Sequence, residues 1–315
     1  MTNILAMPEL VLEKVLKNLN FKSVLTLRHV CRDFRNYIDD SNHSKLPDSN
    51  FSKIEIYFET GSIIKWDFEY RNGSNEKFLW KIPENSNVAD IAIQNLALVL
   101  KFQKYVLGRL FFHFNVHPDS KVMRSNRLLI QKIQARIVKI HALVQSQIMS
   151  ILPCLDSEIL EHIMFWEPAI HFNRDHYKEM EINEIVETEQ WKNAKDFSCF
   201  GFEVIFNIEH FCHFSKVHLE ILAISSDEFV FLKEILLNAP KFKHFTFNVQ
   251  FFEEEHIFIF WGQPFTTNYK RYFFGKSNGE VLDITYMKVN DHHWHFDISC
   301  QKMSNVPNGA VVLNS

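Results

Sequence analysis

The sequence predicts an α/β protein in which a short helical unit precedes a longer region of mixed strands and helices. Three observations support this prediction. Apolar residues recur at helical spacing over residues 7–40. Beyond residue 150, apolar strand candidates alternate with helical segments, the order that builds a curved α/β solenoid. Phenylalanine is abundant, at 31 of 315 residues, and aromatic residues favour strands.

The composition indicates a globular protein without a glycine-rich nucleotide site. Apolar residues make up 46% of the chain and charged residues 23%, as in ordinary soluble domains. Glycine, at 8 of 315 residues, is too scarce to favour phosphate-binding loops. The 5 cysteines form no C-x-x-C pair, which argues against a disulfide framework. We therefore expect an intracellular protein of the cytoplasm or nucleus, with no signal peptide and no membrane span.

Sequence motifs of enzymes are absent or incomplete. Gly275 is followed by Lys276 and Ser277, but Lys270 stands where a phosphate loop needs its first glycine. Two histidine clusters are candidate metal sites. We expect structural roles for both, because zinc needs three or four converging ligands and no further ligands can be identified nearby. The clusters contain His293 with His295, and His210, Cys212 and His213. No catalytic residue, cofactor or metal is therefore predicted, and a metalloenzyme is the least favoured alternative.

The helical unit of residues 7–40 begins at Pro8, a residue suited to the first turn of a helix. Leu10 and Leu25 fall outside the apolar stripes of their helices, which indicates a surface that something else covers. A unit this short buries too little surface to be stable alone. It docks either on the rest of the chain or on a partner, and the pattern leaves both alternatives open.

Residues 7–19 and 21–35 resemble an F-box. Pro8 and the Val30-Cys31-Arg32 string stand where the family pattern requires them. Three positions depart from that pattern but keep side-chain size or helix geometry: Met7, Lys22 and Phe34. The resemblance implies docking on a Skp-type adaptor and, through it, on a cullin-RING ubiquitin ligase. The docking residues that it implies are Pro8, Val11, Val15, Leu16, Leu19, Leu25, Val30, Cys31 and Phe34.

The middle of the chain shows three local patterns. Alternating apolar and polar residues over 51–70 predict a β-hairpin. A helix is predicted over 90–107 and a strand over 110–116. Isoleucines and valines three or four residues apart predict a long amphipathic helix over 125–151.

The last part of the chain predicts an irregular α/β solenoid, with a spacing from Val217 to Lys243 that fits a leucine-rich repeat. A hairpin through Asn278 and Gly279 follows. Strands are predicted over residues 159–165, 200–206, 217–224, 242–249, 269–274 and 281–289, and helices over 182–194 and 227–238.

A second resemblance covers this last part. Leu152-Pro153, residues 189–195 (EQWKNAK), His210-Phe211 and residues 224–228 are similar to the FTH domain that follows the F-box in a large nematode family, the F-box A type. This resemblance implies a surface that recruits a protein substrate. The expected domains are an F-box at 1–45, a strand-rich connecting region at 46–118 and an FTH domain at 119–315. Trp191 is an alternative binding anchor, but its place on an apolar stripe favours a core position.

Basic residues are concentrated between 121 and 139, and an acidic segment follows at 156–189. This basic cluster is a candidate substrate-binding surface or, alternatively, a solvated helix face neutralised by the acidic segment. Its members are Arg124, Arg127, Lys132, Arg136 and Lys139.

The predicted function is that of a non-catalytic substrate adaptor in an SCF-type ubiquitin ligase. A protein-binding scaffold without ubiquitination is the alternative. Nucleic-acid binding through the basic cluster is disfavoured by the net charge of −4.

Overall fold

The computed structural model describes residues 7–40, 46–59, 63–82, 88–114, 132–168, 178–204, 207–254, 256–266, 268–290 and 293–313. The chain divides into two compact units. The first contains residues 1–138 and 150–159, and the second contains residues 139–149 and 160–315. The protein has mixed α/β structure, with helices at the start of the first unit and extensive β-sheet in both units.

Three short helices open the first unit: α1 (Glu9–Lys17), α2 (Phe21–Val30) and α3 (Arg32–Asp40). Pro8, predicted at the first position of α1, lies one residue earlier, at the N-cap. Asn20 begins α2, where its side chain accepts a hydrogen bond of 2.8 Å from the Ser23 amide. These local signals explain where the helices start.

The sheet of the first unit follows the helices. Its strands are β1 (Phe51–Glu59), β2 (Ile63–Tyr70), β3 (Asn75–Lys81) and β4 (Leu107–Phe114), and helix α4 (Val88–Leu100) precedes β4. The strand order is β4-β1-β2-β3, with β1 parallel to β4 and antiparallel to β2. The antiparallel pairing of β1 with β2 confirms the predicted hairpin over 51–70, and β4 confirms the strand predicted over 110–116 as far as residue 114. Residues 60–62, 115 and 116 lie outside the described residues. The helix predicted over 90–107 ends earlier, at Leu100.

The second unit contains the remaining helices and strands. Its helices are α5 (Gln145–Met149), α6 (Glu189–Asn193), α7 (Ser226–Asn238) and α8 (Ile257–Trp261). The chain passes between the units within β5 (Ala135–His141). The other strands are β6 (His162–Trp166), β7 (Lys178–Met180), β8 (Asp196–Val204), β9 (Lys216–Ile224), β10 (His244–Phe252), β11 (Lys270–Gly275), β12 (Glu280–Asn290), β13 (His293–Lys302) and β14 (Val312–Leu313).

The sheet of the second unit has a parallel part and an antiparallel part. Strands β6, β8, β9 and β10 run parallel in that spatial order. Antiparallel strands then continue as β13, β12 and β11, and β14 adds to β11 in parallel. Gly279, at φ 81°, makes the turn between β11 and β12 that the sequence predicted. The strands predicted over 159–165, 200–206, 217–224 and 242–249 and the helix over 227–238 are confirmed with shifted ends.

Two helix predictions need correction. Of the helix predicted over 182–194, only Glu189–Asn193 is helical. Of the long helix predicted over 125–151, residues 125–131 lie outside the described residues, and the prediction is wrong at residues 135–141, which form β5. Val138 and Ile140 are buried, whereas Lys139 and His141 are half-buried, a period of two. The β-branched residues of this segment suit a strand, so their spacing alone was ambiguous.

Candidate protein-docking surface

Helix α1 carries both buried and exposed apolar side chains. Leu12 and Leu16 are 6% and 3% exposed and pack into the first unit. Leu10 is 76% exposed, and Val11 and Val15 of the same helix and Met7 just before it are exposed as well. We call these four exposed residues the α1 patch. Apolar side chains left exposed close together in sequence are typical of a surface that binds a partner.

A second apolar position lies where α2 meets α3. Val30 ends α2 and is 64% exposed, and the neighbouring Cys31 is exposed too. The Cys31 Sγ accepts a hydrogen bond of 3.5 Å from the Phe34 amide, which supports the start of α3. We call Val30 and Cys31 the α2–α3 junction.

The predicted docking residues differ in burial. Leu16 and Phe34 are buried, so their contacts lie within the first unit. Leu19 and Leu25 are half-buried. The exposed members are Pro8, Val11, Val15, Val30 and Cys31.

Leu10 was not among the predicted docking residues, although it is the most exposed member of the α1 patch. Its place outside the apolar stripe of α1 was the signal that could have identified it. Met7 was likewise noted only as a departure from the family pattern, yet it is 42% exposed.

Contacts with the sheet of the first unit hold the helices in place. Phe21, at the start of α2, lies edge-on to Phe51 and Phe102, with ring centroids 5.3 and 5.1 Å away. Lys22 pairs with Glu76 of β3 at 3.0 Å. The exposed apolar residues therefore stand on a supported scaffold.

Polar contacts also fix α3 against α2. The Arg28 guanidinium donates to both carboxylate oxygens of Asp39, at 2.7 and 2.9 Å. Two parallel hydrogen bonds restrict the orientation of the Arg28 side chain relative to Asp39, and this fixes α2 relative to α3. The Lys101 Nζ, near the end of α4, donates to the Asp39 carbonyl.

The basic cluster is described only in part, because Arg124 and Arg127 lie outside the described residues. The Lys132 Nζ donates to the Pro153 carbonyl at 2.6 Å, and the Lys139 Nζ lies 3.6 Å from the centre of the Trp166 ring. Arg136 is exposed on β5. A continuous basic helix does not exist here, since residues 135–139 belong to a strand.

The histidine clusters form hydrogen bonds within the protein. His293 Nδ1 lies 3.1 Å from the Asn290 side chain, and His295 Nδ1 lies 2.9 Å from the Asn248 side chain. His213 Nε2 lies 2.8 Å from the Trp191 carbonyl. Within the described ranges, no group of three or more His, Cys, Asp or Glu residues is placed to hold a metal ion.

Trp191 lies in the core, as its apolar stripe predicted. It is 1% exposed, and its Nε1 donates to the His210 carbonyl at 3.1 Å. Its ring packs against Phe197 and Phe214. A buried indole with a satisfied N–H is not available as a surface anchor.

Comparison with known protein families finds two matches. A family model described as F-box domain matches residues 4–46, which include α1, α2 and α3. A model described as FTH domain matches residues 122–261. No curated protein and no solved structure matches the chain. Among the helices that the structure describes, none is long and apolar enough to cross a membrane.

Proposed function

We propose that this chain, which is an F-box protein with an FTH domain, is the substrate-recognition subunit of an SCF-type E3 ubiquitin ligase. The observation that carries this proposal is the α1 patch. Four apolar side chains are exposed on and just before one short helix that lies within the F-box match. Burial of a side chain such as that of Leu10 contributes about 1.5–3 kcal/mol of favourable free energy, so a partner that covers the α1 patch would gain binding energy.

The F-box would dock on a Skp-type adaptor and thereby on a cullin-RING ligase. The α1 patch and the α2–α3 junction supply the apolar contacts, while buried Leu16 and Phe34 maintain the shape of the helices. The FTH domain would hold a protein substrate. F-box proteins are in general non-catalytic, and this subunit would contribute proximity between the substrate and a ubiquitin-transferring partner.

The proposal includes a domain organisation and a location. The F-box would span residues 1–45, a connecting region 46–118 and the FTH domain 119–315. The parallel run β6-β8-β9-β10 supports an irregular leucine-rich-repeat-like solenoid within the FTH domain. We place the protein inside the cell, in cytoplasm or nucleus, where cullin-RING ligases act.

The direct test is binding of the purified chain to a Skp-type adaptor, measured by calorimetry. Leu10→Asp and Val30→Asp place a charge in the proposed contact and should weaken binding at least about tenfold. Leu79→Asp is the matched control, because Leu79 is 71% exposed on β3, on the strand face opposite Phe78. Circular dichroism should show all three variants folded.

The outcomes separate the candidate functions. Equal binding by wild type, Leu10→Asp and Leu79→Asp would rule out the α1 patch as the contact. Adaptor binding without ubiquitin transfer in a reconstituted cullin-RING reaction that contains a bound substrate would favour the scaffold function. Leu16 is unsuitable for this test, since a charge at a 3% exposed position would report on folding.

A further inference from the structure

An open groove runs along the second half of α7. It has a volume of about 600 Å³, which is within the usual range for ligand sites. It is lined by Phe231, Ile235 and Ala239 from α7 and its C-cap, and by Cys212 and His213 from the segment before β9. All of these residues fall within the part of the chain that matches the FTH domain.

Phe231 is unusual among the apolar residues of α7. Its neighbours Phe229, Leu232 and Leu236 are buried against the sheet, whereas Phe231 is 51% exposed. A half-exposed aromatic ring in a concave surface is the type of residue that dominates binding energy at protein interfaces.

Hydrogen bonds fix both lining segments before any partner binds. The lining residue Cys212 donates from Sγ to the Ile208 carbonyl at 3.0 Å, and His213 is held by the Trp191 carbonyl. Lys276, which follows β11, donates from Nζ to the carbonyls of Leu236 on α7 and of Ala239 just after it, at 3.0 and 3.2 Å. A preformed groove loses little entropy on binding.

The segment that follows α7 contributes a lysine to the groove. Glu234 on the rim is paired with Lys233. Lys241, also on the rim, and Lys243 nearby are exposed, and neither forms an ion pair within the described part of the chain. Burial raises the pKa of the Cys212 thiol, and the nearby Glu209 carboxylate adds to that effect.

We propose that this groove binds the substrate protein through a short extended segment in which a large apolar side chain is followed by Asp or Glu. The apolar side chain packs on Phe231 and Ile235, and the acidic side chain pairs with Lys241. This inference rests on the proposed function, because it identifies where the FTH domain holds its substrate.

The test uses the full chain and a fluorescein-labelled pool of short peptides. Each peptide carries a central Leu or Phe followed by Asp or Glu, with Gly and Ser elsewhere, and a second pool has Lys in place of the acid. Binding is measured by fluorescence polarisation. The groove variants are Phe231→Ser and Lys241→Glu. The matched controls are Phe251→Ser and Lys302→Glu, since Phe251 is 61% exposed, Lys302 is exposed, and neither lines the groove.

The acidic pool should bind wild type and both controls alike. Phe231→Ser should weaken binding about tenfold. Lys241→Glu should lose at least about threefold and shift the preference toward the basic pool. Equal binding by the groove and control variants would overturn the proposal, as would a preference of the wild type for the basic pool. Displacement by a single-stranded oligonucleotide with no dependence on Phe231 would also overturn it, in favour of a nucleic-acid site.

Adaptor binding measured on the same samples separates this inference from the proposed function. Wild-type protein that binds the adaptor but not the acidic peptide pool would overturn the groove alone. Intact peptide binding with no adaptor binding overturns the ligase role and leaves the groove as the site of a peptide-binding scaffold.

Discussion

At the scale of single residues, Glu220 on β9 shows how burial changes a charge. The side chain is half-buried and accepts a hydrogen bond of 3.1 Å from the Gly201 amide. Burial raises the pKa of Glu220 from 4.5 to about 7, and repulsion from Glu203 and Glu167 adds to this effect. The folded protein therefore keeps this proton at a pH where the unfolded chain has released it.

We predict that Glu220→Gln stabilises the protein at alkaline pH. Because the folded-state pKa is raised, the stability contributed by protonated Glu220 is lost as the pH rises from about 4.5 to about 7. The amide carries no charge, so the variant should gain on the order of 1 kcal/mol at pH 8 and nothing at pH 4. Urea denaturation at both pH values measures the difference.

Glu253→Gln is the control for this prediction, because Glu253 is an exposed acid. Its stability should follow that of the wild type at both pH values. An equal gain for Glu220→Gln at pH 4 and pH 8 would show that packing, and not the charge, explains the effect.

At the scale of secondary-structure elements, Phe21 joins the F-box helices to the sheet. The ring begins α2 and is 3% exposed, in contact with Phe51, Phe68 and Phe102. Three short helices bury too little apolar surface to be stable alone. This contact therefore stabilises the helices that carry the α1 patch.

We predict that Phe21→Ala destabilises the first unit by about 3–5 kcal/mol, the usual cost of removing a buried aromatic ring. Hydrogen exchange should show faster exchange of the amides of α1, α2 and α3 than in the wild type. Phe251→Ala, at an exposed ring, should stay within about 0.5 kcal/mol of the wild type. Unchanged protection of the three helices in Phe21→Ala would show that other contacts hold them.

At the scale of the whole molecule, the reactivity of each cysteine thiol depends on its burial and, for Cys31, on adaptor docking. All 5 thiols are free. Cys31 is exposed at the α2–α3 junction, Cys154 and Cys199 are buried, and Cys212 and Cys300 are half-buried. Burial raises the pKa of the Cys199 thiol far above its ordinary range, which suppresses the reactive thiolate.

We predict that a thiol-alkylating reagent labels Cys31 first and Cys199 only after unfolding. Intact-mass and peptide mass spectrometry follow the order of labelling, and protein unfolded in urea should take up 5 labels. Addition of a Skp-type adaptor should slow the labelling of Cys31 and leave that of Cys300 unchanged. Labelling of Cys199 as fast as that of Cys31 in the folded protein would contradict the described core.

Much of the local structure and the family were predictable from sequence. Pro8 marks the start of α1, alternation predicts the β1–β2 hairpin, and Asn278-Gly279 predicts the turn between β11 and β12. These patterns depend on a few neighbouring residues, so they can be recognised in the sequence without knowledge of tertiary contacts. The F-box and FTH resemblances rest on such strings and match the family comparisons.

The tertiary structure alone decided which side chains are buried and which segments pair. Leu10 and Leu16 are the same residue type on the same helix, yet one is exposed and the other buried, because only Leu16 faces the first unit's core. Residues 135–141 became a strand through pairing that their isoleucine spacing does not encode. The groove unites Cys212 with Lys241, residues distant in sequence. Local sequence biases backbone conformation, whereas burial and site assembly depend on long-range contacts that exist only in the folded chain.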